Sequence, residues 1–201
     1  MPRSVSVLIL AAGASTRMKG EIKQLLPWGE HTLLEDAINQ AKIVSDNVYV
    51  VLGAYAKEIL ETASINVEVI QNNNWQMGMG NSISCGLKHI AEIENPDGIL
   101  IMLADQPLID ATYLREMLKT FEEGESKIVA TAYQSGPGVP AIFDNSILPE
   151  LLTLQGDIGA RKIIKKHLLQ TKLISPNGKE VDVDTNENYL QIIDIQNIKY
   201  D

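Results

Sequence analysis

Two cations, a glycine turn and a set of carboxylates are the residues of this 201-residue chain best suited to chemistry. The stretch LILAAGASTRMKGEIKQLLPWG (Leu8 to Gly29) places Ala11, Ala12 and Gly13 after a short apolar run, then offers Arg17 and Lys23. Small residues let the main chain approach a ligand closely, and the amides of such a turn can face phosphate oxygens. Arg17 adds a planar fork and Lys23 a mobile point charge. Further on, GILIMLADQPLI sets Asp105 two residues past an apolar run. A carboxylate there suits Mg²⁺, a hard cation that takes one or two carboxylates plus phosphate oxygens. VDVDTNENY places Asp182 and Asp184 on one face of an extended segment. Two like charges side by side are costly unless a cation or solvent separates them.

These are parts for handling phosphate rather than for forming a covalent intermediate. No Ser-His-Asp or Cys-His arrangement stands out, and His31, His89 and His167 share no zinc-ligand spacing. Neither the Walker A pattern G-x-x-x-x-G-K-[ST] nor the dinucleotide pattern G-x-G-x-x-G occurs. On local evidence, plainer readings stand beside the chemical ones. A tight turn with solvated charges accounts for Arg17 and Lys23, and Asp105 can cap the next helix. The Asp182–Asp184 pair can be an exposed edge followed by an N-cap at Thr185. In NNNWQMGMGNSISCGL (Asn72 to Leu87), Asn81 or Ser82 can cap a helix whose free N–H groups face the ligand edge. An ordinary capped helix fits that stretch as well.

The elements that position these residues follow from hydrophobic rhythm. Val5–Leu10, Asn47–Gly53, Val67–Ile70 and Gly98–Leu103 are short, apolar and bounded by turn residues, as strands buried on both faces require. Thr32–Ile43, Ala56–Ala63, Asn81–Ile93 and Ala111–Gly124 repeat apolar residues every three or four positions and read as helices. Strict alternation implies parallel strands with right-handed crossovers. After residue 125 the rhythm changes. Ile128–Tyr133 and Val139–Phe143, joined through SGPG, read as an antiparallel edge element. A helix over Asp157–Leu169, strands at TKLI and VDVD, and a last helix over Tyr189–Ile195 complete the chain. The expectation is one α/β domain over 1–201 with a mostly parallel sheet, its ligand at the carboxyl ends of the strands. If the first helix begins near Thr32, residues 14–31 form a long loop, and loops of that length usually carry function.

Composition narrows the classes. A net charge of −9 argues against nucleic-acid binding, though a small nucleotide needs only local cations. The lone Cys85 makes no internal disulfide, which suits a reducing compartment. Val5–Ala12 is too short to span a membrane and no signal peptide is read. A cytoplasmic location, away from membranes, is expected.

LAAG followed by S-x-R-M, a Lys and LLPWG resembles the small nucleotidyltransferases that activate the molybdenum cofactor, the MobA-like family. The LAAG form and the LPWG element look like its cytidylyltransferase branch, of the xanthine dehydrogenase maturation type; the guanylyltransferase branch carries LAGG there. The resemblance implies a three-layer Rossmann-like nucleotidyltransferase fold. It also implies that Leu10, Ala11, Ala12 and Gly13 line the nucleotide, that Arg17 holds the triphosphate and that Lys23 meets the phosphates around the reacting α-phosphorus. The family reads R-M-G-x-x-K, whereas RMKGEIK carries one more residue before Gly20. The element N-x-x-W-x-x-G-M-x-x-S-I-x-x-G puts Asn72, Gly80 and Ser82 beside the nucleotide, with Trp75 and Met77 read as packing. A-D-x-P makes Asp105 a metal ligand, and D-[IV]-D-T-x-E-x-Y makes Asp184 the second, with Asn186 where the family has Pro. QSGPGVPAIF resembles the G-x-P-x-x-F strand, with Val139 in a place often held by His. LQGDIGARKII resembles G-D-x-G-A-R-x-x-[IL], with Asp157 as an N-cap and Arg161 on the acceptor's phosphate; a surface ion pair is the other reading of Arg161.

Together the motifs run from residue 8 to 189 and imply transfer of CMP from CTP to molybdopterin, with Mg²⁺ or alternatively Mn²⁺. A transient contact with a molybdenum hydroxylase is implied for the product's delivery. The alternatives are a guanylyltransferase, a transferase for another small phosphate, a non-catalytic cofactor carrier, and a nicotinamide- or flavin-linked oxidoreductase. The missing G-x-G-x-x-G counts against the last.

Overall fold

A computed structural model describes residues 3–18 and 20–200, with the main chain alone for 195–200. The chain begins with β1 (Val5–Ala11), a two-residue hairpin β2 (Pro27–Trp28) and β3 (His31–Thr32), and α1 (Leu33–Lys42). Next come β4 (Val48–Leu52), α2 (Ala56–Thr62), β5 (Glu68–Gln71), α3 (Met79–Ile93), β6 (Gly98–Leu103) and α4 (Ala111–Glu122). The second half holds β7 (Ile128–Tyr133), β8 (Gly136–Asp144), α5 (Leu148–Leu151), α6 (Arg161–Lys166), β9 (Thr171–Ile174) and α7 (Asn186–Tyr200).

Seven strands form one sheet in the order β5-β4-β1-β6-β8-β7-β9. The pairs β5/β4, β4/β1, β1/β6 and β7/β9 are parallel, and β8 runs antiparallel to both neighbours. The expected antiparallel element is therefore a strand inside the sheet rather than at its edge, because β9 adds beyond β7. Period-two alternation sends Val7, Ile9 and Ala11 to one face and Leu8, Leu10 and Ala12 to the other. The first face is covered by α1, α2 and α4, through residues such as Ile38, Ile59 and Leu114. The second is covered by α3, α5 and α6, through Leu87, Leu151 and Ile164. The result is a three-layer α/β fold, as expected.

The chain winds from β1 outward through β4 to β5, then returns to place β6 on β1's other side. The strand order reverses there, so the β1 and β6 carboxyl ends flank a crevice built for a ligand.

Four local expectations change. Residues 14–31 are not one loop: a 3-10 turn at Lys23–Leu25 and the β2–β3 hairpin, closed at Gly29 with φ 60°, give it internal structure. The VDVD segment belongs to no strand; Val183 instead buries its side chain with Met18, Leu26, Trp28, Leu33 and Ile192. The helix expected over Asp157–Leu169 is only Arg161–Lys166, with no side-chain cap. α3 starts at Met79 with Gly78 as N-cap, so Asn81 and Ser82 lie in its first turn and do not cap it. Thr185 does accept from the Asn188 N–H at the start of α7.

Away from the crevice, Asp144 accepts hydrogen bonds from Arg3, Lys127 and Ser146. Burial alone would raise its carboxyl, but these donors prevail and hold it at about 2, against an ordinary 3.8. A depressed carboxylate stabilises the fold above its unfolded value, and the benefit disappears as pH falls through the folded value. Asp144→Asn should therefore cost about 2 kcal/mol at pH 7, with the gap to wild type closing between about pH 4 and pH 2. Urea unfolding at both ends of that window checks this; an equal gap at each pH would assign the loss to packing.

Candidate nucleotide site

Five strand-end and turn residues set the floor of the crevice, a cavity of about 510 Å³. Leu10, Ala11, Ala12 and Gly13 line it from β1, and Asp105 from the turn after β6. Arg17 and Lys23 reach it from the loop between β1 and β2, Ser82 from α3, and Asp184 from the segment before α7. Residues far apart in sequence thus converge because β1 and β6 are neighbours in register, Leu10 opposite Leu103.

The charges are interlocked. Lys23 Nζ donates to Asp105 Oδ2 at 2.5 Å and lies 3.7 Å from Asp184 Oδ1. Arg17 Nη1 donates to Asp184 Oδ2 at 3.0 Å while its side chain stays 69% exposed. An exposed guanidinium paired to a single carboxylate can turn from Asp184 to an incoming anion. Asp105 Oδ1 is buried and has no hydrogen-bond partner. Asp105 does not cap α4, since Asp110 accepts from the Tyr113 N–H and does that work. One carboxylate oxygen is therefore engaged by an ammonium and the other is left free to take a cation.

Asp184 is brought to the site by two clamps. The Val183 N–H donates to the Asp105 carbonyl at 2.9 Å. Gln106 Nε2 donates to Asp182 Oδ1 at 2.8 Å and to the Tyr133 hydroxyl at 2.7 Å. Desolvation, together with the like charges of Asp105 and Asp184, pushes the Asp182 carboxyl up. Asp182 thus belongs to the clamp and Asp184 to the cavity.

Three candidates sit outside the lining. Asn72 is buried and donates to Ser82 Oγ at 3.0 Å, so it stands one layer behind the wall. Gly80 is buried where α3 meets residues 155–158; a Cβ there would lie 2.6 Å from the Ile158 carbonyl oxygen. Its role in the geometry is close approach. Arg161 donates to the Ser135 carbonyl and to Ser135 Oγ at the β7–β8 turn.

Other lining residues escaped the sequence reading. Trp75 and Gln76, in the 3-10 turn before α3, and Met79 at its start form part of the wall, and Asp157 lines it from a loop rather than capping a helix. Gln24 is 4% exposed and bonded to the main chain of the β1 turn. A buried Gln in a polar loop carries no periodic signal; only its position directly after Lys23 pointed to it.

The sequence profile of the MobA-like NTP transferase domain matches residues 7–171. A curated relative, nicotine blue oxidoreductase of Paenarthrobacter nicotinovorans, is 30% identical over 94% of this chain and 96% of its own. The purine catabolism protein PucB of Bacillus subtilis is 29% identical over 90% and 92%. Among solved structures, Rv0371c of Mycobacterium tuberculosis in complex with manganese superposes with a TM-score of 0.76 at 25% identity, covering 95% of this chain and 98% of that one. The strand-end turn, the interlocked cations and carboxylates and the profile match over most of the sequence agree: this chain belongs to the MobA-like NTP transferase family and is a nucleotidyltransferase by that membership.

Proposed function

We propose that this chain, acting as one domain over 1–201, transfers CMP from CTP to the phosphate of a molybdopterin-type cofactor and releases pyrophosphate. The observation that carries the reading is Lys23 Nζ standing between Asp105 and Asp184 at the end of the LAAG turn. A nucleotidyl transfer needs cations around an α-phosphorus and oxygen donors for a hard metal ion, and both are within one cavity. The purine relative accords with a cofactor for xanthine dehydrogenase-type hydroxylases, since xanthine is a purine. The manganese complex of the structural neighbour supports divalent-metal use.

The donor set fits Mg²⁺ or Mn²⁺. Asp105 Oδ1 is an unpartnered buried oxygen, and Asp184 supplies a second carboxylate nearby. Among the described residues no three His, Cys, Asp or Glu side chains gather into a cage, which suits an ion completed by phosphate oxygens and water. Asp105 and Asp184 would hold it, and when bound it would neutralise charge on the phosphates.

The chain's own residues account for the rest. The β1 turn receives the nucleotide, Arg17 moves from Asp184 to the outer phosphates, and Lys23 turns from the carboxylates to the oxygens of the α-phosphate. An acceptor phosphate oxygen attacks the α-phosphorus in line; the new P–O bond forms as the bond to the pyrophosphate oxygen breaks. A phosphate monoester is already anionic at pH 7, so no general base is required.

Calorimetric titration with CTP, GTP and ATP, with and without Mg²⁺, followed by pyrophosphate release in the presence of molybdopterin, tests the reading. Selective Mg²⁺-dependent CTP binding with release supports it. Tighter GTP binding moves the assignment to the guanylyl branch, and CTP binding without release points to a carrier of cofactor. The relative named as an oxidoreductase favours a second reading. Flavin absorbance in the purified protein, or oxidation of a reduced nicotinamide by a dye substrate, would bring that reading forward.

A further inference from the structure

Lys23 is held in place from behind by Gln24, which no motif singled out, and by Ser15, the Ser of the S-x-R-M element. Gln24 Nε2 donates to the Ala11 carbonyl at 2.8 Å and to the Gly13 carbonyl at 3.2 Å. Gln24 Oε1 accepts from Ser15 Oγ at 3.3 Å, and Ser15 Oγ in turn accepts from the Lys23 N–H at 3.2 Å. Ser15 adopts φ 51°, a left-handed conformation that a non-glycine residue holds only when its surroundings fix it. These four bonds tie Ala11, Gly13 and Ser15 to Lys23 and Gln24 in a ring of hydrogen bonds, with a buried carboxamide at its centre.

We propose that Gln24, acting through Ser15, is a positioning residue for nucleotidyl transfer: it fixes the β1 turn and the main chain of Lys23 so that the ammonium reaches the reacting phosphate. The proposal rests on the nucleotidyltransferase reading above. It follows from what each group must do. A phosphate seeks N–H groups and repels carbonyl oxygens. With the Ala11 and Gly13 carbonyls bonded to Gln24, their lone pairs are engaged inside the wall. The Lys23 ammonium sits on a flexible four-carbon stem, so its reach is set by where its backbone is pinned. The pin is Ser15, and Ser15 is held in its strained turn by Gln24. Glutamate in the same place would keep the shape and the acceptor but lose both donors, setting a carboxylate against two carbonyl oxygens.

The test is Gln24→Glu, with Ser15→Ala as a second variant. Each is measured for kcat and KM in CTP- and molybdopterin-dependent pyrophosphate release, for melting temperature, and for hydrogen exchange. Misplacing a catalytic cation by about 1 Å costs about a hundredfold, so Gln24→Glu should lower kcat at least tenfold with KM for CTP changed less than threefold. Ser15→Ala should lower kcat in the same direction by a smaller factor. Faster exchange should be confined to residues 11–24. Normal kcat in a folded Gln24→Glu protein would overturn the proposal, as would a melting loss with unchanged turnover per folded molecule. If wild type itself releases no pyrophosphate, the functional reading falls separately. The ring is then judged by exchange alone: unchanged protection over 11–24 refutes it, and selective loss there supports it.

Discussion

Asp105→Ala should abolish pyrophosphate release, a loss of three orders of magnitude or more, while the protein melts within a few degrees of wild type. The large effect follows from the position of the carboxylate. Asp105 leaves β6 directly beside the β1 turn, with one oxygen on Lys23 and the other buried without a partner. Removing it deletes a cation donor and also frees Lys23 from the nearer of its two anchors. Metal-assisted charge stabilisation at a phosphoryl centre is worth several kcal/mol, and each 1.36 kcal/mol is about tenfold in rate. The small effect on stability follows from the same geometry. Alanine leaves behind no unpaired buried oxygen, and Lys23 still has Asp184 at 3.7 Å. Asp105→Asn separates shape from charge: it should be nearly as inactive as alanine. Turnover above a tenth of wild type in either variant, with far-UV dichroism unchanged, would rule out Asp105 as the metal-holding residue.

The same residues show what a sequence can and cannot disclose. Asp105 was legible because a charge just past a doubly buried strand has few structural uses, and β-strand periodicity locates such an end well. The parallel order of β1, β4, β5 and β6 was legible for the same reason. The Lys23–Asp105–Asp184 cluster was legible only in part. Residue type and position offered Lys23 and Asp105 and the family resemblance added Asp184, but their convergence depends on β6 docking beside β1 and on Val183 bonding the Asp105 carbonyl. Period two read VDVD as a strand, yet a strand needs a partner as well as a pattern, and VDVD has none among the described strands; Val183 is instead buried against Met18 and Trp28. Loop-borne contacts were the least legible. Gln24 acts through hydrogen bonds to a turn and Asp157 through loop placement, and neither leaves a periodic trace. Asn72 and Gly80 sit near the right wall but behind it, because a linear motif records adjacency to a site without recording depth.

The charge cluster yields a prediction whose two halves run in opposite directions. Without a ligand, Lys23 occupies the place between the carboxylates that a divalent cation would take, 2.5 Å from one and 3.7 Å from the other. On the proposed reading, lysine is then a competitor for the metal as well as a contact for phosphate. Lys23→Met keeps the length and the apolar stem but removes the ammonium. Among the described residues it leaves Asp105 and Asp184 near each other with only Arg17 paired to them, an arrangement that like-charge repulsion disfavours and a cation relieves. Two charges about 4 Å apart at a protein surface interact by about 4 kcal/mol at an effective dielectric near 20. Even a fraction of that, after solvent screening, is enough for about tenfold tighter Mn²⁺ binding in nucleotide-free protein. Turnover should move the other way, falling about a hundredfold or more, because no cation then follows the α-phosphate as charge develops. Mn²⁺ titration followed by water-proton relaxation, paired with the pyrophosphate assay, reads both. Weaker Mn²⁺ binding in Lys23→Met would mean that the lysine organises the carboxylates instead of competing for them, and the exchange of ammonium for metal at this site would have to be abandoned.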